Sequence, residues 1–235
     1  MKGPSSVDVV FFDVHGTLIQ QYYSPPEIFR RLCAEAGFDV PLATIQAAYP
    51  PLTELAERSE ATSDDTDAFW RQVNAEILAE LGVADSDGAL AEHLMTGFKR
   101  ADWWVAYDDA IPTLEKLREA GFRLGTIANA RHLVLGRLRH AGLIDRFETI
   151  TYSEDIGHQK PDARLFNAAL GRLGVSAANA VHVGDRVRED VQGAQNAGLR
   201  AILIDREDRH SSVDGERVRS LAELRPLLTG VPREP

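Results

Sequence analysis

Four polar side chains stand where apolar segments of the sequence end. Asp13 closes a run of β-branched and aromatic residues that begins at Val7, and Asn129, Lys160 and Asp185 follow further strand-like segments. In open α/β sheets, ligands bind outside the carboxyl ends of the strands, so these side chains are expected to meet at one edge. Carboxylates can act as nucleophiles or bind a hard cation, and an ammonium group neutralises an anion. The pattern therefore indicates a reaction site for an anionic ligand.

The elements that must position this site alternate between strand and helix. After residue 107, predicted strands at residues 122–128, 149–152, 180–185 and 201–205 are separated by predicted helices. Strands joined by helices of about ten to fifteen residues imply right-handed crossovers. The predicted fold class is α/β, with a Rossmann-like parallel sheet and helices on both of its faces.

A helical segment interrupts this alternation after the first strand. Ser24-Pro25-Pro26-Glu27 is a capping box with proline at the first helical position, and apolar residues at helical spacing follow it. A second helix is expected over residues 42–48, with further helical sequence to Arg58. Two more helices are expected before residue 100. The predicted division is an α/β core of residues 1–19 and 106–235 and an all-helical domain of residues 20–105.

Composition narrows the classes of partner and compartment. The formal net charge of −10 argues against nucleic-acid binding, which needs concentrated Lys and Arg. No apolar stretch reaches the about 18 residues of a membrane span, and no secretory signal is visible at the start. The single cysteine, Cys33, excludes a disulfide framework and fits a reducing compartment. A cytoplasmic protein without membrane or nucleic-acid partners is expected.

The segments around Asp13, Asn129, Lys160 and Asp185 match, in order, the sequence motifs of one family. Asp13-Val14-His15-Gly16-Thr17-Leu18 resembles motif I of the haloacid dehalogenase (HAD) superfamily, and Asn129 stands where motif II has its Asn. Gly157-His158-Gln159-Lys160-Pro161-Asp162 is similar to the Lys-Pro motif. Gly184 and Asp185, followed by Asp190, match the Gly-Asp-x-x-x-x-Asp form of motif IV. Each motif alone is weak, but the four together make chance agreement improbable.

The resemblance implies a nucleophile and a metal site. Asp13 would attack the substrate, and Asp13, Asp185 and the backbone carbonyl of His15 would bind Mg²⁺, which prefers oxygen ligands. Asp190 would act on the metal through water or a neighbouring group. Lys160 would pair with Asp13 and with the transferring phosphoryl group.

The resemblance also implies phosphate-binding residues and a cap. Thr17 would hydrogen-bond the phosphate or hold its loop, and Asn129 and Ala130 would offer donors at the start of a helix. The helical domain resembles the C1 cap of the family, which closes over the site and excludes water.

Two residues depart from the pattern of the family's phosphatases. His15 replaces the second Asp of motif I, which protonates the leaving oxygen and then activates water. General acid–base help of this kind is worth ~10²–10⁴-fold. His15 could do both tasks, or only its carbonyl could be used. Ala128 replaces a hydroxyl donor of motif II, which by analogy costs on the order of 10²–10³-fold.

Three functional hypotheses follow. The leading one is a Mg²⁺-dependent phosphatase that acts on a small phosphorylated metabolite through an aspartyl-phosphate, as a monomer or homodimer. The second is a metal-independent 2-haloacid dehalogenase, whose motif I typically has Tyr at position 15 and whose motif IV lacks the Gly-Asp pair. The third is a non-catalytic, regulatory small-molecule-binding module on the same scaffold.

Two further polar or aromatic residues are expected to be structural. His182 lies inside a strand and is interpreted as a hydrogen-bonded core residue. Trp104 is interpreted as core or domain-junction packing.

Overall fold

One parallel sheet organises the molecule. The structure is a computed structural model that describes residues 7–49 and 66–229 of the 235-residue chain. Its strands are β1 Val9–Phe12, β2 Ile19–Gln21, β3 Trp104–Ala106, β4 Arg123–Ala128, β5 Thr149–Tyr152, β6 Ala180–Gly184, β7 Arg200–Ile204 and β8 Glu216–Val218. Six of them form a sheet in the order β5-β4-β1-β6-β7-β8 with parallel neighbours, and β2 pairs with β3 in a small separate sheet. The predicted α/β fold is confirmed.

Helices flank the sheet and form a second unit. They are α1 Pro25–Glu35, α2 over residues 42–49, α3 Thr66–Glu80, α4 Ala89–Gly97, α5 Ala110–Glu119, α6 Leu133–His140, α7 Ser153–Ile156, α8 Ala163–Leu173, α9 Gly193–Asn196 and α10 Leu224–Thr229. The chain separates into two compact units, Met1–Gln20 with Trp104–Pro235, and Gln21–Trp103. Among the described residues, no helix is long and apolar enough to cross a membrane.

Strand β1 is buried on both faces because helices cover both sides of the sheet. Val10 and Phe12 pack in one core cluster with side chains of α5 and α6, whereas Val9 and Phe11 pack in another with α8 and α9. All four side chains are fully buried. A strand with two covered faces needs a continuous apolar run, and that explains why no polar alternation precedes Asp13.

Helix α1 begins at the predicted capping box. The Glu27 carboxylate accepts hydrogen bonds from the Ser24 N–H at 2.8 Å and from the Ser24 hydroxyl at 2.6 Å. Helices α1 and α4 pack closely, since a Cβ built at Gly97 would lie 2.4 Å from Leu32 Cδ2. The Trp103 indole N–H donates to the Gly97 carbonyl at 2.8 Å.

Two local elements differ from the sequence-based expectation. The helix after β4 begins at Leu133, so Asn129 lies in a loop and does not open the helix. The segment after β6 is a π-helix over Val187–Gln192, and it precedes α9. The predicted helical continuation to Arg58 falls outside the described residues.

Asp109 ties three distant segments of the α/β unit together. Its carboxylate accepts hydrogen bonds from both Nη atoms of Arg206 at 2.9 and 3.0 Å, from Ser220 Oγ at 2.7 Å and from the Leu221 N–H at 2.9 Å. Arg206 also donates to the Thr17 carbonyl at 2.9 Å and stacks on Tyr107. Burial alone would raise the pKa of Asp109, but these donors outweigh it and lower the pKa.

We expect Asp109→Ala to lower the free energy of unfolding by about 2–4 kcal/mol, because the charge-assisted hydrogen bonds from Arg206, Ser220 and Leu221 are lost. A carboxylate with a lowered folded-state pKa stabilises above its unfolded pKa, so the difference from wild type should shrink below about pH 4. Urea unfolding at neutral and acidic pH measures both effects. Asp108→Ala is the matched control, because Asp108 is exposed. Equal stabilities of the two variants at neutral pH would contradict this assignment.

Candidate active site

Asp13 and Lys160 form a buried ion pair at the carboxyl edge of the sheet. Asp13 directly follows β1, and its N–H extends the sheet by donating to the Val183 carbonyl at 2.8 Å. Lys160 Nζ lies 2.6 Å from Asp13 Oδ1, 2.6 Å from Asp190 Oδ1 and 2.9 Å from the Ile127 carbonyl. Lys160 is only 3% exposed, and a buried ammonium must be paired in this way. One cation therefore serves two carboxylates.

Asn129 fixes the backbone that carries Lys160. The Asn129 Oδ1 accepts from the Lys160 N–H at 2.6 Å, and its Nδ2 donates to the Lys160 carbonyl at 3.0 Å. Both functional atoms of the amide are thus used within the protein. Asn129 lines the cavity beside Asp13, but its side chain acts by positioning Lys160.

Asp190 is held from three sides. Besides Lys160, its carboxylate accepts from His182 Nε2 at 2.9 Å and from the Arg186 N–H at 2.9 Å. Burial would raise the pKa of Asp190, but the charge of Lys160 and the hydrogen bond from His182 outweigh it and hold the pKa low. A Cβ at Gly184 would lie 2.2 Å from Asp190 Cγ, so the glycine makes room for this side chain.

His182 is neutral and structural. It is fully buried, and burial lowers its pKa despite the nearby Asp190. The bond to Asp190 then assigns the proton to Nε2, which donates. The prediction of a hydrogen-bonded core histidine is confirmed.

The pKa values of Asp13 and Lys160 are both raised. Burial raises the pKa of Asp13 more than the charge of Lys160 lowers it. Burial alone would lower the pKa of Lys160, but the charges of Asp13 and Asp190 outweigh that effect and raise it. Lys160 is therefore a permanent cation, and it cannot serve as a base at neutral pH.

The acidic cluster suits a hard cation. Oxygen atoms of Asp13, Asp185 and Asp190 lie within 4.8 Å of one another. Asp185 Oδ1 is buried without a hydrogen-bond partner among the described residues. Burial and the negative charge of Asp13 raise the pKa of Asp185 to about 7, because one ammonium cannot neutralise three carboxylates. These groups fit Mg²⁺, and Asp13 and Asp185 have oxygens free to bind it, whereas Asp190 is committed.

Gly16 brings the turn after β1 against Asp185. Its φ is +80°, and a Cβ there would lie 2.4 Å from Asp185 Oδ2. A side chain at this position would therefore be strained in the backbone and would displace the carboxylate.

Thr17 and Ala130, the other residues expected to bind phosphate, differ in how their polar groups are used. Thr17 is fully buried, and its Oγ1 has no hydrogen-bond partner among the described residues, while its carbonyl accepts from Arg206. The Ala130 N–H donates to Ser153 Oγ at 3.0 Å. The structure brings Asp13, Lys160 and Asp185 together, and a phosphate-binding role for Thr17 and Ala130 stays a prediction.

A cavity of about 360 Å³ opens beside Asp13 and Lys160. His15, Trp104 and Arg137 line another part of it. Arg137 Nη1 lies 2.9 Å from His15 Nε2, and the guanidinium stacks on the Trp104 ring at 4.4 Å. The His15 and Trp104 rings meet edge to face at 4.6 Å. This size suits a small ligand.

His15 is an uncharged acceptor in this cluster. Burial and the nearby charge of Arg137 lower the pKa of His15 to about 3, so the imidazole is neutral at neutral pH. Its Nε2 accepts from Arg137, and the remaining proton is therefore assigned to Nδ1.

Sequence analysis did not identify Arg137, and it assigned Trp104 to packing. A weak signal for Arg137 exists, because it lies between the buried residues Val134 and Leu138 of α6, where an inward arginine is unusual. No comparable signal distinguishes Trp104 from a core aromatic, because its partner His15 is remote in the sequence.

Comparison with known proteins agrees with this geometry. A family model described as haloacid dehalogenase-like hydrolase matches residues 7–198. The chain is 30% identical over 226 residues to haloacid dehalogenase-like hydrolase domain-containing protein 3 of Danio rerio, covering 92% of this chain and 93% of that protein. It is 32% identical over 205 residues to a glyceraldehyde 3-phosphate phosphatase of Methanopyrus kandleri, covering 85% and 84% of the two chains.

Solved structures give the same relationship. A HAD-hydrolase of Bacillus subtilis bound to magnesium is 25% identical, with a TM-score of 0.74 and coverage of 95% of this chain and 99% of that one. A 2-haloacid dehalogenase of Pseudomonas syringae is 29% identical, with a TM-score of 0.63 and coverage of 95% and 98%.

We expect MgCl₂ to raise the unfolding temperature of the wild type but not that of Gly16→Ala, because the new Cβ would displace the Asp185 carboxylate. Gly121→Ala is the matched control: its φ is +91°, and a Cβ there meets nothing within 4 Å. Both variants should lose about 1–2 kcal/mol from the left-handed backbone. Scanning calorimetry with and without MgCl₂ separates the two effects, and an unchanged Mg²⁺ response in Gly16→Ala would refute the proposed contact.

Proposed function

Because the chain belongs to the haloacid dehalogenase-like hydrolases, we propose that it is a Mg²⁺-dependent phosphatase of small phosphomonoesters. The observation that carries the proposal is the buried Asp13–Lys160 pair at 2.6 Å, next to the unpartnered Asp185 oxygen. A related protein named as a glyceraldehyde 3-phosphate phosphatase supports the reaction class.

In the proposed reaction, a carboxylate oxygen of Asp13 attacks phosphorus and the alcohol leaves. The aspartyl-phosphate that results is hydrolysed by water, which returns the carboxylate and releases inorganic phosphate. Lys160 fixes the nucleophile and offsets the negative charge of the arriving phosphoryl group. Its own position depends on Asp190 and Asn129, which hold the ammonium group and the backbone.

Asp13, Asp185 and the His15 carbonyl would hold Mg²⁺. When bound, the ion supplies positive charge that reduces repulsion between the carboxylate and the phosphate and stabilises the transition state. The three carboxylates and single ammonium of this site account for that requirement.

His15 is proposed to act through its contact with Arg137 and not as the general acid. Its lowered pKa leaves few protonated molecules at neutral pH, and Nε2 is occupied by Arg137. Leaving-group protonation then falls to water, and turnover of alkyl phosphates should be slow.

The helical unit Gln21–Trp103 is proposed to be the C1 cap that the sequence resemblance implies. In this role it would exclude bulk water during the reaction and contribute to substrate choice.

A second candidate is a metal-independent 2-haloacid dehalogenase, in which Asp13 attacks carbon and halide leaves. The similarity to the Pseudomonas syringae dehalogenase favours it. Asp185 weighs against it, because a third carboxylate beside the buried Asp13 and Asp190 only adds repulsion when no cation is bound. Chloride release from 2-chloropropionate in EDTA would establish this alternative.

We expect the purified protein to hydrolyse p-nitrophenyl phosphate with Mg²⁺ and to lose this activity in EDTA. Asp13→Asn should reduce kcat by at least about 10³-fold, because the nucleophile is lost. Asp145→Asn, at an exposed carboxylate, is the matched control and should retain activity. Undiminished hydrolysis in EDTA or by Asp13→Asn would end the proposal.

His15→Ala should lower kcat by less than about 10-fold, whereas the loss of a working general acid–base costs ~10²–10⁴-fold. His15→Asp, which introduces the residue of the family's phosphatases, should raise kcat for alkyl phosphates. Steady-state kinetics with an alkyl phosphate measures both. A fall of 10²-fold or more in His15→Ala, with an unchanged melting temperature, would make His15 the acid–base.

A further inference from the structure

We propose that Arg137 binds a second anionic group of the substrate, a carboxylate or a phosphate, and so selects phosphomonoesters that carry two anions. The inference rests on the proposed phosphatase function, because it assigns the remainder of the molecule whose phosphoryl group meets Asp13.

Arg137 faces the same cavity as the nucleophile. It lies in α6, between Val134 and Leu138, which are both fully buried in the core. Its guanidinium lines the cavity of about 360 Å³ that also contains Asp13 and Lys160. A molecule of a few carbons is therefore the right size to contact both ends of the site.

The contacts of Arg137 leave its charge unbalanced. Its neighbours are the imidazole of His15 at 2.9 Å and the ring of Trp104 at 4.4 Å, and neither of these groups carries negative charge. Among the described residues of the α/β unit, its guanidinium contacts His15 and Trp104 and forms no ion pair with a carboxylate, and its buried Nε has no hydrogen-bond partner. A partly buried guanidinium without a counter-charge is unfavourable, and an anionic ligand would supply that charge.

The other basic residues around the cavity are accounted for. Lys160 is shared between Asp13 and Asp190, and Arg131 pairs with Glu154 at 3.2 Å. Arg186 is exposed, so water solvates its charge. Arg137 is thus the lining cation that is both sheltered from solvent and without an acidic partner in the described α/β unit.

The chemistry of the guanidinium specifies the ligand. Its planar donors match the two oxygens of a carboxylate or of a phosphate, and they offer nothing comparable to an aldehyde or a hydroxyl group. The ring of Trp104 and the Nε2 of His15 hold the guanidinium in place, which reduces the ordering cost of binding. Arg137 is therefore assigned as a specificity-determining residue.

A matched three-carbon series tests the inference with Mg²⁺ present: 3-phosphoglycerate, glyceraldehyde 3-phosphate and glycerol 3-phosphate differ in one terminal group. The wild type should prefer 3-phosphoglycerate over glycerol 3-phosphate by about 10- to 100-fold in kcat/KM. Arg137→Gln should remove this preference mainly by raising KM for the acid, since the contact exists in both ground and transition states. Arg137→Lys should restore part of it.

Fructose 1,6-bisphosphate against fructose 6-phosphate identifies the source of the second anion. If the enzyme prefers the bisphosphate and the preference depends on Arg137, the second anion is a phosphate. If the preference is limited to 3-phosphoglycerate, the second anion is a carboxylate. Arg139→Gln is the control, because Arg139 is exposed on the same helix. Loss of kcat on all substrates in Arg137→Gln, without a change in the ratios, would overturn the inference and leave Arg137 a structural support.

Calorimetric titration of 3-phosphoglycerate into Asp13→Asn separates this inference from the proposed function. Binding about 10- to 100-fold weaker after the added Arg137→Gln substitution supports the anion site even if no phosphoester is hydrolysed. Equal binding in the presence and absence of Arg137 overturns it, whatever the catalytic activity.

Discussion

The arrangement depends on one buried ammonium that is shared by two carboxylates. Lys160 stands between Asp13 and Asp190 at 2.6 Å from each, and it is almost inaccessible to solvent. Removing one partner of a buried ion pair costs about 3–5 kcal/mol, because an uncompensated charge remains. Three residues support this ion-pair arrangement. Asn129 hydrogen-bonds the backbone of Lys160, His182 donates to Asp190, and Gly184 leaves room for the Asp190 side chain. The same interaction holds Asp13, the proposed nucleophile, in place.

Charge is distributed unequally across the cavity. Around Asp13 and Asp185 there is an excess of negative charge, which a cation would relieve, whereas Arg137 carries positive charge without an acidic partner in the described α/β unit. His15 lines the same cavity and contacts Arg137 as a neutral group. A site with negative charge on one side and positive charge on the other would orient an asymmetric ligand before any chemistry occurs.

Much of the fold and part of the site could be predicted from the sequence. The apolar run before Asp13 and the repeated strand–helix alternation specify a parallel sheet, and polar residues at strand ends mark its active edge. The role of Asn129 could not be predicted, because a hydrogen bond to the backbone of Lys160 leaves no trace in residue type. Arg137 and Trp104 both contact His15, which is remote from them in the sequence. Hydrophobic periodicity predicts which residues face the core, but it does not predict such contacts between distant residues. Likewise, before α6 starts, the loop after Asn129 is tied to a distant segment, because the Ala130 N–H donates to Ser153 Oγ and the His132 N–H donates to Glu154 Oε2.

Because Asp190 lies in the π-helix Val187–Gln192, the geometry of the site depends on the number of residues between Asp185 and Asp190. A π-turn contains one residue more than an α-turn over the same rise, and each residue removed rotates the following side chains by about 100°. Deleting one residue between Asp185 and Asp190 would therefore carry Asp190 away from Lys160 even if every remaining side chain were unchanged. In this protein, the number of residues between Asp185 and Asp190 therefore matters for the site as well as the identity of the two aspartates.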